Sequence, residues 1–131
     1  MDKFAKKVVP VGLFKALVPY WHLGKSVFYQ TKAGFPAKGI TVIGVTGTDG
    51  KTSTSTLITQ MLRASGKKVA MMTTISVDYG DGKGIQPNPT RLTTFGADQL
   101  VNALKRMKKE KVEYLVLEVT SHALHQRRTW G

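Results

Sequence analysis

Residues 40–45, Ile-Thr-Val-Ile-Gly-Val, form a short apolar, β-branched run that glycine and threonine residues terminate, the pattern of a buried strand. From 51 to 65 the apolar Leu57, Ile58, Met61 and Leu62 recur at helical spacing, and Gly66 stands where a helix stop belongs. Residues 68–77 read as a second strand. Residues 78–89 hold three glycines and two prolines and read as an exposed turn and loop that rims the active site. Residues 97–109 place Leu100, Val101, Leu104 and Met107 on one helical face, and residues 114–119 repeat the buried-strand pattern. Strand, helix, strand, helix, strand in that order predicts an α/β fold with a parallel, doubly wound sheet and right-handed crossovers.

The first 39 residues break this rhythm. They carry seven lysines and one acid, interleaved with Phe4, Phe14, Tyr20, Trp21, Phe28, Tyr29 and Phe35, and form a basic amphipathic lead segment. Three readings suit it: a pair of short helices packed on the following domain, weak peripheral contact with an anionic membrane, or contact with nucleic acid. The apolar stretch 8–24 is interrupted by Pro10, Lys15 and Pro19 and falls short of the roughly 20 apolar residues that span a bilayer. It also lacks a secretory cleavage site, so the chain is expected to keep its N-terminus. The whole chain of 131 residues suits one domain, its formal charge of +12 suits polyanionic partners, and the absence of cysteine removes disulfides and thiolate metal sites. The lysines are spread without a nucleic-acid-binding motif, so no nucleic-acid partner is expected.

The chemistry concentrates at residues 44–52, Gly-Val-Thr-Gly-Thr-Asp-Gly-Lys-Thr, between a predicted strand and a predicted helix. In that setting a glycine-rich loop wraps phosphates with its backbone amides, and the helix N-terminus adds partial positive charge. Gly47, Thr48, Asp49, Gly50, Lys51, Thr52 and Ser53 are the candidate nucleotide-binding residues. Lys51 reaches the outer phosphates and Thr52 offers a hydroxyl to Mg²⁺. Glu118 ends a predicted buried strand, where a lone carboxylate is costly unless it meets a cation or a donor, so it is the second candidate Mg²⁺ ligand.

The loop misses the generic phosphate-loop spacing by one residue, with Val45 five positions before Gly50. Its spelling instead resembles the variant phosphate loop of the Mur ligase superfamily, which includes folylpolyglutamate and cyanophycin synthetases, with Asp49 where Asn is usual. Arg91-Leu-Thr-Thr94 is similar to the paired threonines that contact the UDP-sugar-peptide in the dipeptide-ligase branch of that superfamily, with Leu92 and Phe95 departing from it. Taken alone, two threonines there also suit a helix cap. Residues 117–128, Leu-Glu-Val-Thr-Ser-His-Ala-Leu-His-Gln-Arg-Arg, resemble the branch's E-V-S-S-H-x-L-x-Q-x-R run, with Thr120 in place of Ser.

The resemblance implies Lys51 and Glu118 as catalytic residues and Thr93, Thr94, Thr120, Gln126 and Arg128 as substrate-binding residues. His122 suits an internal hydrogen bond, and His125 is left unassigned. It implies an ATP- and Mg²⁺-dependent ligase that phosphorylates the D-glutamate carboxylate of UDP-N-acetylmuramoyl-L-alanyl-D-glutamate, after which the amine of a diamino acid forms the amide. That is cell-wall precursor synthesis, in the cytoplasm, by an expected monomer. Residues 40–131 correspond to the first part of the family's central ATP-binding domain. The domain that chooses between diaminopimelate and lysine would follow residue 131, so a truncated chain, inactive alone, is the expectation. The competing readings are a folylpolyglutamate- or cyanophycin-type ligase fragment and a non-catalytic ATP-binding module.

Overall fold

The structure is a computed structural model that describes residues 11–90 and 95–120. Its elements are α1 (Val11–Lys32), β1 (Thr41–Val45), α2 (Lys51–Ala64), β2 (Val69–Met72), β3 (Ser76–Asp78), β4 (Gln86–Pro87), α3 (Ala97–Lys109) and β5 (Tyr114–Glu118). They build one five-stranded sheet in the order β1-β5-β2-β3-β4. β5 runs parallel to both neighbours, with Thr41 and Val69 each opposite Tyr114.

β5 reads as a continuous apolar run because both of its faces are covered. Leu115 and Leu117 share a core with Ala70, Met72, Leu100, Leu104 and Met107 on the α3 side. Val116, with Val45 and Val69, meets Ile58 and Leu62 of α2 on the other. The doubly wound expectation thus holds for the parallel strands, with one helix on each face. In α2 the inward positions are Ser55, Ile58, Thr59 and Leu62, whereas Leu57 and Met61, expected on the same apolar face, are exposed. Small polar residues on the buried stripe let the helix lie close to the sheet, and Thr59 Oγ1 satisfies itself on the Ser55 carbonyl at 2.8 Å.

β1, expected to be a buried strand, is an edge strand of the described sheet in which only Val45 is buried. Two further expectations need correction. Residues 68–77 are not one strand: β2 stops at Met72 and the chain reverses into β3, antiparallel to it, so the sheet is mixed rather than wholly parallel. Buried Thr73 makes the reversal. Its Oγ1 donates to the Ser76 carbonyl at 2.9 Å and accepts from the Ser76 N–H at 3.0 Å. Within residues 11–39 the lead segment forms one long helix rather than two short ones, because α1 runs unbroken through Pro19 and packs on α3. A proline inside a helix removes one backbone donor but does not stop a helix that tertiary contacts hold.

Each helix ends in a Schellman motif. The N–H groups of Phe35, Lys67 and Val112 reach back to the carbonyls of Gln30, Leu62 and Met107. The left-handed positions are Gly34, Gly66 and, with φ 59°, Lys111. Gly66 ends α2 as the sequence predicts. At the other end of α3, the Gln99 side chain accepts from the Gly96 N–H at 3.1 Å.

Residues 79–85 lie beside the amino ends of the parallel strands. A Cβ on Gly80 would stand 2.7 Å from Val112 and 3.6 Å from the Val69 carbonyl. The last residues of the 78–89 loop return to the Glu118 end of the sheet, where Asn88 holds the turn at Thr73 and Thr74, but its glycine-rich part is at the opposite end and does not rim that site. Ion pairs fasten it instead: Arg63 to Asp78 at 2.8 Å, and Arg106 to Asp81, with the Arg106 guanidinium 4.2 Å from the Tyr79 ring centre.

Candidate nucleotide site

Val45 and Glu118 are register partners at the carboxyl ends of adjacent parallel strands, the end at which open α/β sheets bind ligands. Residues 46–50 leave β1 there as an exposed loop and lead straight into α2. Gly47 and Gly50 have φ of 151° and 72°, conformations that strain any side chain and that set the loop's path. Gly50 occupies the N-cap position of α2, and no side chain caps that end. The first internal bond of α2 runs from the Thr54 N–H to the Gly50 carbonyl at 2.9 Å, so the amides of the first turn remain directed out of the helix. Lys51 folds back over the loop, its Nζ donating to the carbonyls of Gly47 at 2.9 Å and Thr48 at 2.7 Å. The ammonium therefore sits at the loop mouth.

Glu118 is 2% exposed, yet three donors satisfy its carboxylate. Thr52 Oγ1 donates to Oε2 at 2.9 Å, the Thr74 N–H to Oε2 at 3.1 Å and Thr74 Oγ1 to Oε1 at 3.0 Å. The first turn of α2, the end of β5 and the turn after β2 thus converge on one carboxylate. Asn88 braces that turn, its Nδ2 donating to the carbonyls of Thr73 at 2.8 Å and Thr74 at 3.1 Å. Thr90 in turn donates to Asn88 Oδ1 through both its N–H and its hydroxyl, each at 2.9 Å.

Gly47, Thr48, Asp49, Gly50, Lys51, Thr52 and Ser53 are all brought to the loop and the first turn of α2, with Asp49 and Ser53 exposed. Thr120 is half-buried and follows Val119, whose N–H donates to the Val45 carbonyl at 2.9 Å, at the same end of the sheet. Thr93, Thr94, Gln126 and Arg128, with His122 and His125, lie outside the described residues. Sequence reasoning missed Thr74 and Asn88. Threonine and asparagine beside turns are too common to single out, and only the fold shows which carboxylate or carbonyl they face. Among the described residues no three His, Cys, Asp or Glu side chains cluster as a metal site.

The model of the Mur ligase middle domain matches residues 45–131, from the last residue of β1 through the loop, α2 and Glu118. The chain belongs to the Mur ligase family. It is 38% identical over 117 residues to a UDP-N-acetylmuramyl-tripeptide synthetase of Treponema pallidum (strain Nichols), covering 89% of this chain and 21% of that protein. It is 35% identical over 127 residues to a UDP-N-acetylmuramoyl-L-alanyl-D-glutamate--2,6-diaminopimelate ligase of Geobacillus thermodenitrificans (strain NG80-2), covering 97% and 25%. A solved structure of a ligase of the latter description superposes with a TM-score of 0.59 at 33% identity, over 76% of this chain and 20% of that one. This Mur ligase chain spans about a fifth to a quarter of the length of the curated relatives it matches.

Proposed function

We propose that this Mur ligase segment holds the phosphates of ATP at residues 47–53 and serves the ATP-driven addition of a diamino acid to UDP-N-acetylmuramoyl-L-alanyl-D-glutamate. The observation that carries the reading is the meeting of Thr52 and the buried Glu118 at the end of a glycine loop whose lysine already lies across its mouth. The family's middle domain and the names of the relatives support the same chemistry.

The loop amides and the uncapped first turn of α2 supply preorganised donors for phosphate oxygens. Lys51 has to exchange its two carbonyl partners for phosphate oxygens, a swap in which the ammonium keeps its hydrogen bonds and gains a charged acceptor. These groups stabilise negative charge on the phosphoryl as it passes to the glutamate carboxylate, the main electrostatic task in such transfers.

Mg²⁺ fits the donor set. Glu118 and Thr52 offer oxygen ligands, one carboxylate with substrate phosphates suits this ion, and three donors fill only part of the roughly four acceptor positions of a carboxylate. When bound, the ion would neutralise charge on the outer phosphates. Thr74 is then a positioning residue that aims Glu118 at Thr52. Thr120, with Thr93, Thr94, Gln126 and Arg128, is proposed to hold the UDP-linked peptide. The reaction belongs in the cytoplasm, where nucleotide-linked precursors are made.

The test is ADP release by this segment joined to the remaining length its relatives carry. Release that requires both UDP-N-acetylmuramoyl-L-alanyl-D-glutamate and a diamino acid is expected. Nucleotide binding with no release when both are supplied would favour a non-catalytic ATP-binding module.

A further inference from the structure

The helix α1 is dressed the wrong way round for a helix that merely covers a core. Its buried positions include polar Ser26 and Gln30, each 2% exposed, and Gln30 Oε1 meets no partner. Its outward positions carry Tyr20, Trp21 and Phe28, each more than 60% exposed. Tyr20, Gly24 and Phe28 recur at four-residue spacing, with Trp21 and Lys25 beside them, so the rings form one stripe along the helix. Apolar grooves flank Phe28 on both sides. One, of about 730 Å³, is lined by Leu23, Val27 and Thr31, and the other, of about 340 Å³, by Trp21, Lys25 and Tyr29.

Independently of the nucleotide reading, we propose that this face of α1 docks on an anionic lipid bilayer surface. Charge selects that occupant. The sequence of α1 contains no acid, Lys25 and Lys32 lie on the exposed side, and their Nζ atoms stand 5.7 Å from the Tyr29 ring centre and 6.0 Å from that of Phe28. Rings with ammonium groups alongside are the composition of a helix lying in the headgroup region, where the rings enter the acyl boundary and the lysines stay with lipid phosphates. A second copy would bring this cationic stripe against its own charge. No described helix is long and apolar enough to cross a membrane, so α1 lies on the surface rather than spanning it.

The chain is tested by co-sedimentation with phosphatidylcholine vesicles, with and without phosphatidylglycerol. Binding is expected only with the anionic lipid and should weaken as salt rises. Lys25→Gln and Lys32→Gln should each lower partitioning about five-fold. Trp21→Ala with Phe28→Ala should abolish it while circular dichroism shows the fold unchanged, since these positions are exposed. Equal binding to neutral vesicles, binding indifferent to all four substitutions, or no binding at low salt would overturn the proposal. So would a concentration-dependent dimer that the ring substitutions dissolve, because the face would then be an interface between copies.

Discussion

Replacing Thr74 by Val removes one hydroxyl while keeping the branched shape, and the fold makes that hydroxyl the sole hydrogen-bond donor to Glu118 Oε1 among the described residues. A hydrogen bond to a charged acceptor contributes about 1.5–3 kcal/mol, and leaving a buried acceptor unmet costs a similar amount. Thr74 is only half-buried, so water can partly replace it, and the lower end of that range, about 1.5 kcal/mol, applies. For a domain of this size that corresponds to a fall in Tm of about 5–8 °C. Urea denaturation should show a lower midpoint with an unchanged slope. Thr52→Val removes a donor from the same carboxylate, so a double-mutant cycle between the two should show a coupling of about 0.5 kcal/mol or more. Because Thr74 donates to Glu118, the proposed metal role of Glu118 predicts that Thr74→Val also weakens Mg²⁺-ATP binding while sparing metal-free ATP binding. A variant within about 0.5 kcal/mol of the parent, additive with Thr52→Val and unaltered in both binding measurements, would refute the positioning role.

Gly80→Ala should destabilise by about 2–4 kcal/mol in denaturant titration, because its φ of 70° disfavours a side chain and the new Cβ would lie 2.7 Å from Val112. Lys111→Gly should stabilise by about 1 kcal/mol in the same titration, because Lys111 holds the left-handed position at the end of α3 with φ 59°. Acid should weaken the fold. Burial pushes the Asp81 carboxyl up, but the Arg106 hydrogen bond, the Lys83 N–H and the two nearby cations outweigh it and hold the pKa below 3.8. The Lys68 N–H and then the Lys67 side chain hold Glu113 below 4.5. A depressed folded-state pKa gives stability that is present above the unfolded value and lost as pH falls through the folded one, so the loss should appear below about pH 4. Thermal melts from pH 6 to pH 3 should show a smaller fall for Asp81→Asn than for the parent chain, and an equal fall would count against the Asp81 contribution.

The elements most legible from sequence were β5 and α3, whose apolar pattern matched their burial. β5 is apolar because both its faces are covered, and α3 shows its inward stripe as Leu100, Val101, Leu104 and Met107. β1 and α2 were legible with the loop between them, since glycines at 47 and 50 mark backbone that side chains disfavour. The reversal at Thr73 was hidden because Ile75 is apolar yet 68% exposed, so the run 68–77 looked unbroken. Pro19 suggested a break that tertiary packing overrides. In α2, apolar residues fall on two faces, and only the sheet reveals that the one bearing Ser55 and Thr59 is buried. Within the candidate site, Lys51, Thr52 and Glu118 could be proposed because their residue types suit phosphate and metal chemistry. Thr74 could not, because its role arises from a contact spanning 44 residues of sequence.

The central claim, that Lys51 acts on phosphate directly and Glu118 through Mg²⁺, is tested most directly by nucleotide titration of this chain with Mg²⁺ and with EDTA. Lys51→Ala should weaken ATP binding in both arms, since its charge meets phosphate with or without the metal. Glu118→Gln keeps the size of the side chain while removing its charge. It should weaken binding in the Mg²⁺ arm and leave the EDTA arm unchanged or slightly tighter, because one negative charge near the phosphates is gone. Equal weakening in both arms by a folded Glu118→Gln chain would contradict the metal role and leave Glu118 as a brace that holds Thr52 and the turn at Thr74 in place.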